Sequence, residues 1–294
     1  MEVKNQTGND PTILSGTASA PGKVIISGEH SVVYGHPVLV MAINKRVTSK
    51  FKVKREENKD AKIKVSVILE QTGEGECNTT ILDTDVNLEK ANKVDESLKV
   101  EEKLLNHIYK DLAKNMKPTF GGAIEVLINS EIPLGSGLGS SAAWGASLSA
   151  SFLHAIYFIL HGKSFTDKAA EKEHVWSYTN LSEYYYHGKP SGCDAAITIH
   201  GDIIYYSKGI PPELTEIRKL PMCKIENLDM ILVNTNAKKD TKRLVASVTG
   251  LKEADPVNFH ELMNTISNVT SEIIELTQEE VVDKFAFWDY VSMN

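Results

Sequence analysis

The sequence predicts a mixed α+β fold in two domains, on three observations. Stretches rich in Val and Ile, with Thr and Lys interspersed, cover residues 17–27, 37–54 and 61–69, a composition suited to half-buried strands. Three longer segments, 95–116, 140–161 and 167–186, read as helices. A chain of 294 residues is long enough for one or two domains, and Pro211, Pro212 and Pro221 mark residues 207–226 as a boundary between them.

Taken in order, residues 1–18 read as a polar tail, followed by strands over 17–27 and 37–54. The alternating run AKIKVSVIL at 61–69 predicts a half-buried strand. Residues 71–95 are rich in Gly, Asn and Asp and predict a loop. From Asp95 to Met116, Leu98, Leu105, Ile108 and Leu112 recur at near-helical spacing with charges on the other face. Ala123–Ile128 predicts the strand that leads into a loop of small residues, and a helix follows from about Ser140 to His161. That helix has no Asp, Glu, Lys or Arg from Ala142 to Leu160 and is nearly long enough to span a bilayer. Its serines, its His154 and the lack of a basic flank predict instead a buried helix of a soluble domain. A further helix is expected over 167–186 and a returning strand over Ile197–Tyr206. Beyond the boundary the sequence predicts a strand at Met230–Asn234, a helix from Asp240 through Val248, and another opened by Asp255-Pro256. Phe259, Leu262, Ile266, Val269 and Ile273 give that last helix its apolar stripe.

The loop Pro133-Leu134-Gly135-Ser136-Gly137-Leu138-Gly139-Ser140-Ser141 carries the most chemical information. Three alternate glycines free the backbone for positive φ and close approach. The helix that follows turns unpaired N–H groups and the positive end of its dipole toward any anion in the loop. The loop therefore reads as a phosphate cradle. It lacks the lysine and spacing of a Walker A motif, and its third glycine comes one residue too early for the dinucleotide fingerprint.

A net charge of −7 argues against a general nucleic-acid or membrane-surface binder. Cys77, Cys193 and Cys223 are odd in number and widely spaced, which fits a reducing compartment, and they show no metal-ligand spacing. The polar N-terminal residues show neither a signal-peptide apolar run nor an Arg-rich transit pattern, so a cytoplasmic protein is expected, with a peroxisomal fraction left open.

A second segment, Ala20-Pro21-Gly22-Lys23-Val24-Ile25-Ile26-Ser27-Gly28-Glu29-His30-Ser31-Val32-Val33-Tyr34-Gly35, resembles the GHMP kinase superfamily when taken with the glycine loop. Within that superfamily it is most like the mevalonate kinase family. Two more stretches, Glu183–Asp194 (EYYYHGKPSGCD) and Asn234–Val245 (NTNAKKDTKRLV), resemble segments of the same family. The resemblance runs from residue 19 to about 250. It implies an ATP-binding N-terminal domain over 19–225 with a left-handed βαβ unit, and a ferredoxin-like C-terminal domain from 226. It also implies ATP- and Mg2+-dependent phosphorylation of mevalonate in isoprenoid and sterol precursor synthesis, by a homodimer that needs neither nucleic acid nor membrane.

Residue by residue, the resemblance implies that Gly135, Ser136, Gly137, Leu138, Gly139, Ser140 and Ser141, with Ser130 upstream, bind the nucleotide. Ser141 and Glu183 would hold Mg2+, a cation that takes hard oxygens beside phosphate and water. Asp194 would be the base for the substrate hydroxyl and Lys23 its cationic neighbour. Glu29, His30, Ser191 and Thr241 would lie near the substrate. The residues taken alone leave plainer roles open: helix capping for Ser140, Ser141 and Asp194, and a solvated surface charge for Glu183. Lys239 stands where vertebrate relatives have arginine, which puts recognition of the substrate carboxylate in doubt.

The sequence departs from the family in one respect. The third glycine-rich motif of the C-terminal domain has no counterpart, and the chain closes on Phe285-Ala286-Phe287-Trp288-Asp289-Tyr290-Val291-Ser292-Met293-Asn294. An incomplete C-terminal domain is therefore expected, in which Phe285, Phe287, Trp288 and Val291 lack packing partners, with low solubility and weak activity. Two other readings stay open: another GHMP small-molecule kinase, such as a phosphomevalonate or sugar kinase, and a nucleotide-binding protein that has lost catalysis.

Overall fold

A computed structural model describes residues 2–5, 12–56, 63–71, 77–92, 95–114, 116–133, 135–209, 214–220, 231–233, 241–278 and 282–293. The fold is α+β and divides into two compact units, each assembled from separate stretches of chain.

The first unit comprises residues 1–20, 45–132 and 141–188. Strands β1 (Glu2–Asn5), β2 (Thr12–Ser27), β3 (Val38–Glu56), β4 (Ile63–Gln71), β5 (Cys77–Val86) and β6 (Gly121–Ser130) form a sheet in the order β1-β2-β3-β6-β4-β5, with β2 and β3 also contributing residues to the second unit. β6 runs antiparallel to β3 and parallel to β4. The return from β5 to β6 is made through helices α1 (Leu88–Asn92) and α2 (Val100–Ala113). Phe51 and Val53 of β3, Val65 and Val67 of β4, and Ile124, Val126 and Ile128 of β6 are buried, as period-2 alternation requires when one face of a sheet is covered.

Helix α3 (Ser140–His161) is buried along most of its length and is the core helix of this unit. Its serines explain how an apolar helix packs so close to β3. Ser49 Oγ donates to Ser147 O at 2.8 Å and shares a 2.7 Å hydrogen bond with Ser151 Oγ. A buried hydroxyl without a partner would cost ~1–3 kcal/mol, a penalty that this pairing spares Ser49 and Ser151. Helix α4 (Lys168–His187) starts at Asp167, whose carboxylate accepts from the N–H groups of Ala169 and Ala170. Gly145 lets α3 and α4 approach, since a Cβ there would lie 2.8 Å from Ser182 Oγ.

The second unit holds residues 21–44, 133–140 and 189–294. Its first elements after α4 are α5 (Cys193–His200), β7 (Ile203–Ser207) and β8 (Glu216–Leu220), followed by α6 (Thr241–Ala254), α7 (Pro256–Leu276) and α8 (Lys284–Met293). β7 pairs antiparallel with Val38–Met41 of β3 and with β8. Asp255 caps α7 by accepting from Asn258 N–H, with Pro256 in the first turn as the sequence predicts. Leu39, Leu220, Val269, Ile273, Ile274, Val282 and Phe287 form this unit's apolar cluster.

Several expectations need correction. Residues 2–5 and 12–18 are strand, and Leu14 and Ala18 are buried, so this stretch is no polar tail. The expected loop over 71–95 contains β5 and α1; pairing with β4 buries Leu82 and Val86 despite the strand's Asn, Asp and Thr content. Cys193–His200 is helix, so the returning strand begins only at Ile203. The boundary segment contains β8. Of the strand expected at Met230–Asn234, Ile231–Val233 are irregular and exposed, while Met230 and Asn234 lie outside the described residues, as does Asp240. Phe287 is buried and Val291 packs against the same cluster, so both have partners, whereas Phe285 and Trp288 are exposed.

One buried ionic contact in the first unit is testable by pH. Glu171 lies 3.3 Å from His154 Nε2 and 2.7 Å from Lys168 Nζ. Burial works against its charge, yet the neighbouring His154 and Lys168 prevail and pull its carboxyl from the ordinary 4.5 down to about 2. A depressed folded-state value stabilises the fold above the unfolded pKa, and that stability is lost as pH falls through the folded one. The urea midpoint of the native protein should thus exceed that of Glu171→Gln at neutral pH, and the gap should close between about pH 4.5 and about 2. A gap constant across that range would rule out an ionic origin.

Candidate active site

The glycine loop lies in the second unit apart from Ser141, and its geometry follows from its composition. Gly135, Gly137 and Gly139 have φ of 71°, 79° and 70°, the region L side chains avoid. Ser136 Oγ donates to Pro133 O at 2.7 Å and tightens the turn. The loop is tied to β2 where Lys23 N–H donates to Leu138 O at 2.9 Å. A Cβ on Gly139 would sit 2.8 Å from Lys23 Cγ, so loop backbone and lysine stem approach too closely for any other residue.

Lys23 is buried, and its ammonium lies 3.1 Å from Asp194 Oδ1. Burial alone would lower its pKa. The Asp194 charge and hydrogen bond, with further contributions from Cys193 and Glu29, outweigh burial and raise it, so Lys23 stays charged. Asp194 occupies the first turn of α5, behind Gly192 at φ 90°. The turn before it is held at three points. Ser191 Oγ accepts from Cys193 N–H at 3.2 Å, Tyr206 Oη donates to Ser191 O at 2.7 Å, and Lys208 Nζ donates to Pro190 O at 3.1 Å. The Asp194 side chain keeps 31% of its exposure, enough to meet a hydroxyl arriving from solvent. Cys193 beside it is buried, and burial together with Asp194 pushes its thiol well above the ordinary value, so it is no nucleophile.

The Gly-Glu-His segment forms a strained turn in the same unit. His30 has φ 66° and ψ −38°, and Ser31 N–H donates to Glu29 O at 2.9 Å, closing a three-residue turn around it. The Ser31 hydroxyl donates to Gly28 O at 2.9 Å. Gly28, at φ 91°, is crowded by Pro37 O at 2.5 Å from where a Cβ would stand. Glu29 is exposed, and its charge is felt by Lys23. A non-glycine residue held at positive φ is a mark of functional sites, where surrounding contacts maintain ~1–3 kcal/mol of strain.

In the first unit, Ser141 in the first turn of α3 and Glu183 near the end of α4 approach a common neighbour. His187 Nε2 is 3.3 Å from Ser141 Oγ and 3.8 Å from Glu183 Oε2. Glu183 is buried, so it is not the solvated surface charge that its sequence context suggested. Among the described residues no group of three or more His, Cys, Asp or Glu side chains is arranged to hold a metal. A hydroxyl and a carboxylate do fit Mg2+, which takes one or two protein oxygens and fills its remaining positions with phosphate and water. Ser130 ends β6 and closes a local turn, donating to Ile132 O at 3.0 Å and accepting from Ile132 N–H. Thr241 opens α6, but its side chain lies outside the described residues, as does Lys239.

The structure thus gathers Lys23, Asp194, Leu138 and Gly139 in one unit and Ser141, Glu183 and His187 in the other. The sequence reading passed over three residues: His187, Tyr206 and Lys208. Only His187 carried a signal, its i,i+4 spacing from Glu183.

Residues 104–202 match the family model of the GHMP kinases N terminal domain, and residues 4–51 match the galactokinase galactose-binding signature. Residues 104–202 thus resemble the N-terminal domain of the GHMP kinases, and the relatives the chain is similar to include mevalonate kinases. That of Arabidopsis thaliana is 28% identical over 289 residues, spanning 90% of this chain and 74% of the relative. That of Schizosaccharomyces pombe is 29% identical over 287 residues, spanning 89% and 67%. Among solved structures, L. major mevalonate kinase in complex with R-mevalonate shares the fold, with a TM-score of 0.61 at 20% identity over 94% of this chain and 72% of its own.

Two glycines with nearly equal φ separate backbone strain from crowding. Gly135→Ala and Gly139→Ala each force a side chain into the left-handed region, at ~1–2 kcal/mol. A Cβ at Gly135 meets nothing within 4 Å, whereas one at Gly139 meets Lys23 at 2.8 Å. Urea unfolding should therefore show the larger loss for Gly139→Ala. Equal losses would mean that the approach of Lys23 does not constrain the loop.

Proposed function

We propose that the protein phosphorylates the primary hydroxyl of mevalonate to 5-phosphomevalonate, with ATP as donor and Mg2+ as the metal, in isoprenoid and sterol precursor synthesis. The observation that carries this reading is the Lys23–Asp194 contact of 3.1 Å beneath a phosphate loop bonded to the same lysine's backbone. Phosphoryl transfer needs positioning and charge stabilisation more than covalent chemistry, and these residues supply both. The loop amides from Gly135 to Ser141 hold the phosphates. Asp194 accepts the proton of the attacking hydroxyl as its oxygen bonds to the γ-phosphorus, and the bond from that phosphorus to the bridging oxygen breaks to release ADP. Lys23 offsets charge on the phosphoryl oxygens during transfer. Ser141 and Glu183 would hold Mg2+, which when bound neutralises phosphate charge. Glu29, His30, Ser191 and Thr241 are assigned to the substrate. The same reading makes residues 19–225 the ATP-binding domain, residues 226–294 part of the C-terminal domain, and the protein a cytoplasmic homodimer.

The galactose-binding signature over residues 4–51 favours a second reading, a sugar kinase. Coupled ADP release measured on mevalonate, phosphomevalonate, galactose and homoserine separates the two, and turnover on mevalonate is expected. Asp194→Asn should lower kcat at least ~10²-fold, the low end for loss of a general base, while ATP affinity changes little. Near-normal turnover in that variant would remove Asp194 from the mechanism. ATP binding without turnover on any of the four compounds would favour a nucleotide-binding protein.

A further inference from the structure

Ser141 and Glu183 come from different helices, and the side chain of His187 reaches both. It follows Glu183 by one turn on α4, so the two share a helix face. Its Nε2 stands 3.3 Å from Ser141 Oγ, within hydrogen-bonding distance, and 3.8 Å from Glu183 Oε2. A serine hydroxyl has one proton and two lone pairs. To offer a lone pair to a hard cation, its proton must point elsewhere, and an acceptor fixed in space decides where.

We infer that His187 is a positioning residue for the cation site: its Nε2 accepts the Ser141 hydroxyl proton and so turns the Ser141 lone pairs toward the position shared with Glu183. The inference rests on the Mg2+ roles proposed for Ser141 and Glu183. It requires the imidazole proton on Nδ1, leaving Nε2 as acceptor. The competing explanation is that His187 merely ends a helix, its ring beside the negative end of the dipole before Gly188. Such a role would affect stability and leave cation affinity alone.

The two roles separate in the whole protein, with Mn2+ as the probe. Free and bound Mn2+ are measured by paramagnetic resonance in the presence of ATP, and ATP binding is measured separately without metal. His187→Phe keeps a ring but loses the acceptor. It should weaken Mn2+ binding ~10–100-fold, the usual effect of removing a group that orients a metal ligand, with metal-free ATP affinity unchanged. His187→Gln places an amide oxygen near the Nε2 position and should recover most of the affinity. His187→Ala replaces the Phe variant if the latter melts early. Combined with Ser141→Ala, the His187 substitution should add no further loss, because the two residues act as one unit.

Mn2+ affinity unchanged in both His187→Phe and His187→Ala, or a full additional loss in the Ser141→Ala background, would overturn the inference while leaving the metal assignment standing. If Ser141→Ala and Glu183→Gln themselves bind Mn2+ as the native protein does, the metal assignment fails and the inference falls with it.

Discussion

The buried ammonium of Lys23 is the constraint on which the second unit's site depends. A lysine removed from water is strongly disfavoured unless a negative group accompanies it, and Asp194 is that group at 3.1 Å. The requirement reaches in two directions. Asp194 must be presented at a fixed point, so the turn before α5 is pinned by Ser191, Tyr206 and Lys208. The lysine stem must also pass directly against the glycine loop, so Gly139 can carry no side chain and Leu138 accepts from the lysine's own backbone. One ion pair therefore couples the position of a carboxylate to the shape of an anion cradle.

The first unit meets a different requirement, that of placing the two oxygens proposed as Mg2+ ligands on separate helices. Ser141 lies in the first turn of a helix whose following turns are buried, and Ser49, Ser147 and Ser151 fix that helix to β3 by hydrogen bonds. Glu183 sits on a helix that packs tightly enough for Gly145 to leave no room beside Ser182. Rigid packing of this kind suits a cation site with few protein ligands, because each ligand must be placed by its helix and not by the metal. It also explains a feature that composition alone left ambiguous. Helix α3 is long and apolar enough to cross a bilayer, yet it is mostly buried.

Much of this was legible in the sequence where local chemistry decides the outcome. Alternate glycines required positive φ, Asp167 and Asp255 announced helix starts, and the alternation in β3 and β4 showed one covered face. The failures fall where partners distant in sequence override local preference. β5 reads as a loop by composition and becomes a strand only because β4 supplies its hydrogen bonds. Ile197-Thr198-Ile199 reads toward strand, yet the left-handed turn at Gly192 and the start of α5 commit it to helix. Phe287 seemed to lack a partner, but Leu39, Leu220 and Ile273, remote along the chain, bury it. In the candidate site, the glycines, Lys23 and Asp194 were readable from motif. Tyr206 and Lys208, which also pin the Pro-Ser-Gly turn, were not, since their roles depend on β7 folding back across it.

The charge distribution also bears on how such a site can recognise an anion. The chain carries a net charge of −7, the glycine loop contains no lysine or arginine, and Lys23 is already committed to Asp194. An anion bound there, as proposed above, would be met by oriented backbone N–H groups, whose partial charges are fixed in direction and need no counterion. Such donors are strongest where the backbone cannot relax. In this loop three glycines set the path, and Lys23 holds it through its backbone N–H and blocks relaxation with its stem. A lysine that is neutralised by its partner can still serve the chemistry. In the proposed mechanism, once Asp194 takes a proton its negative charge is gone, and the Lys23 ammonium becomes available to the phosphoryl oxygens at the moment when their charge must be met.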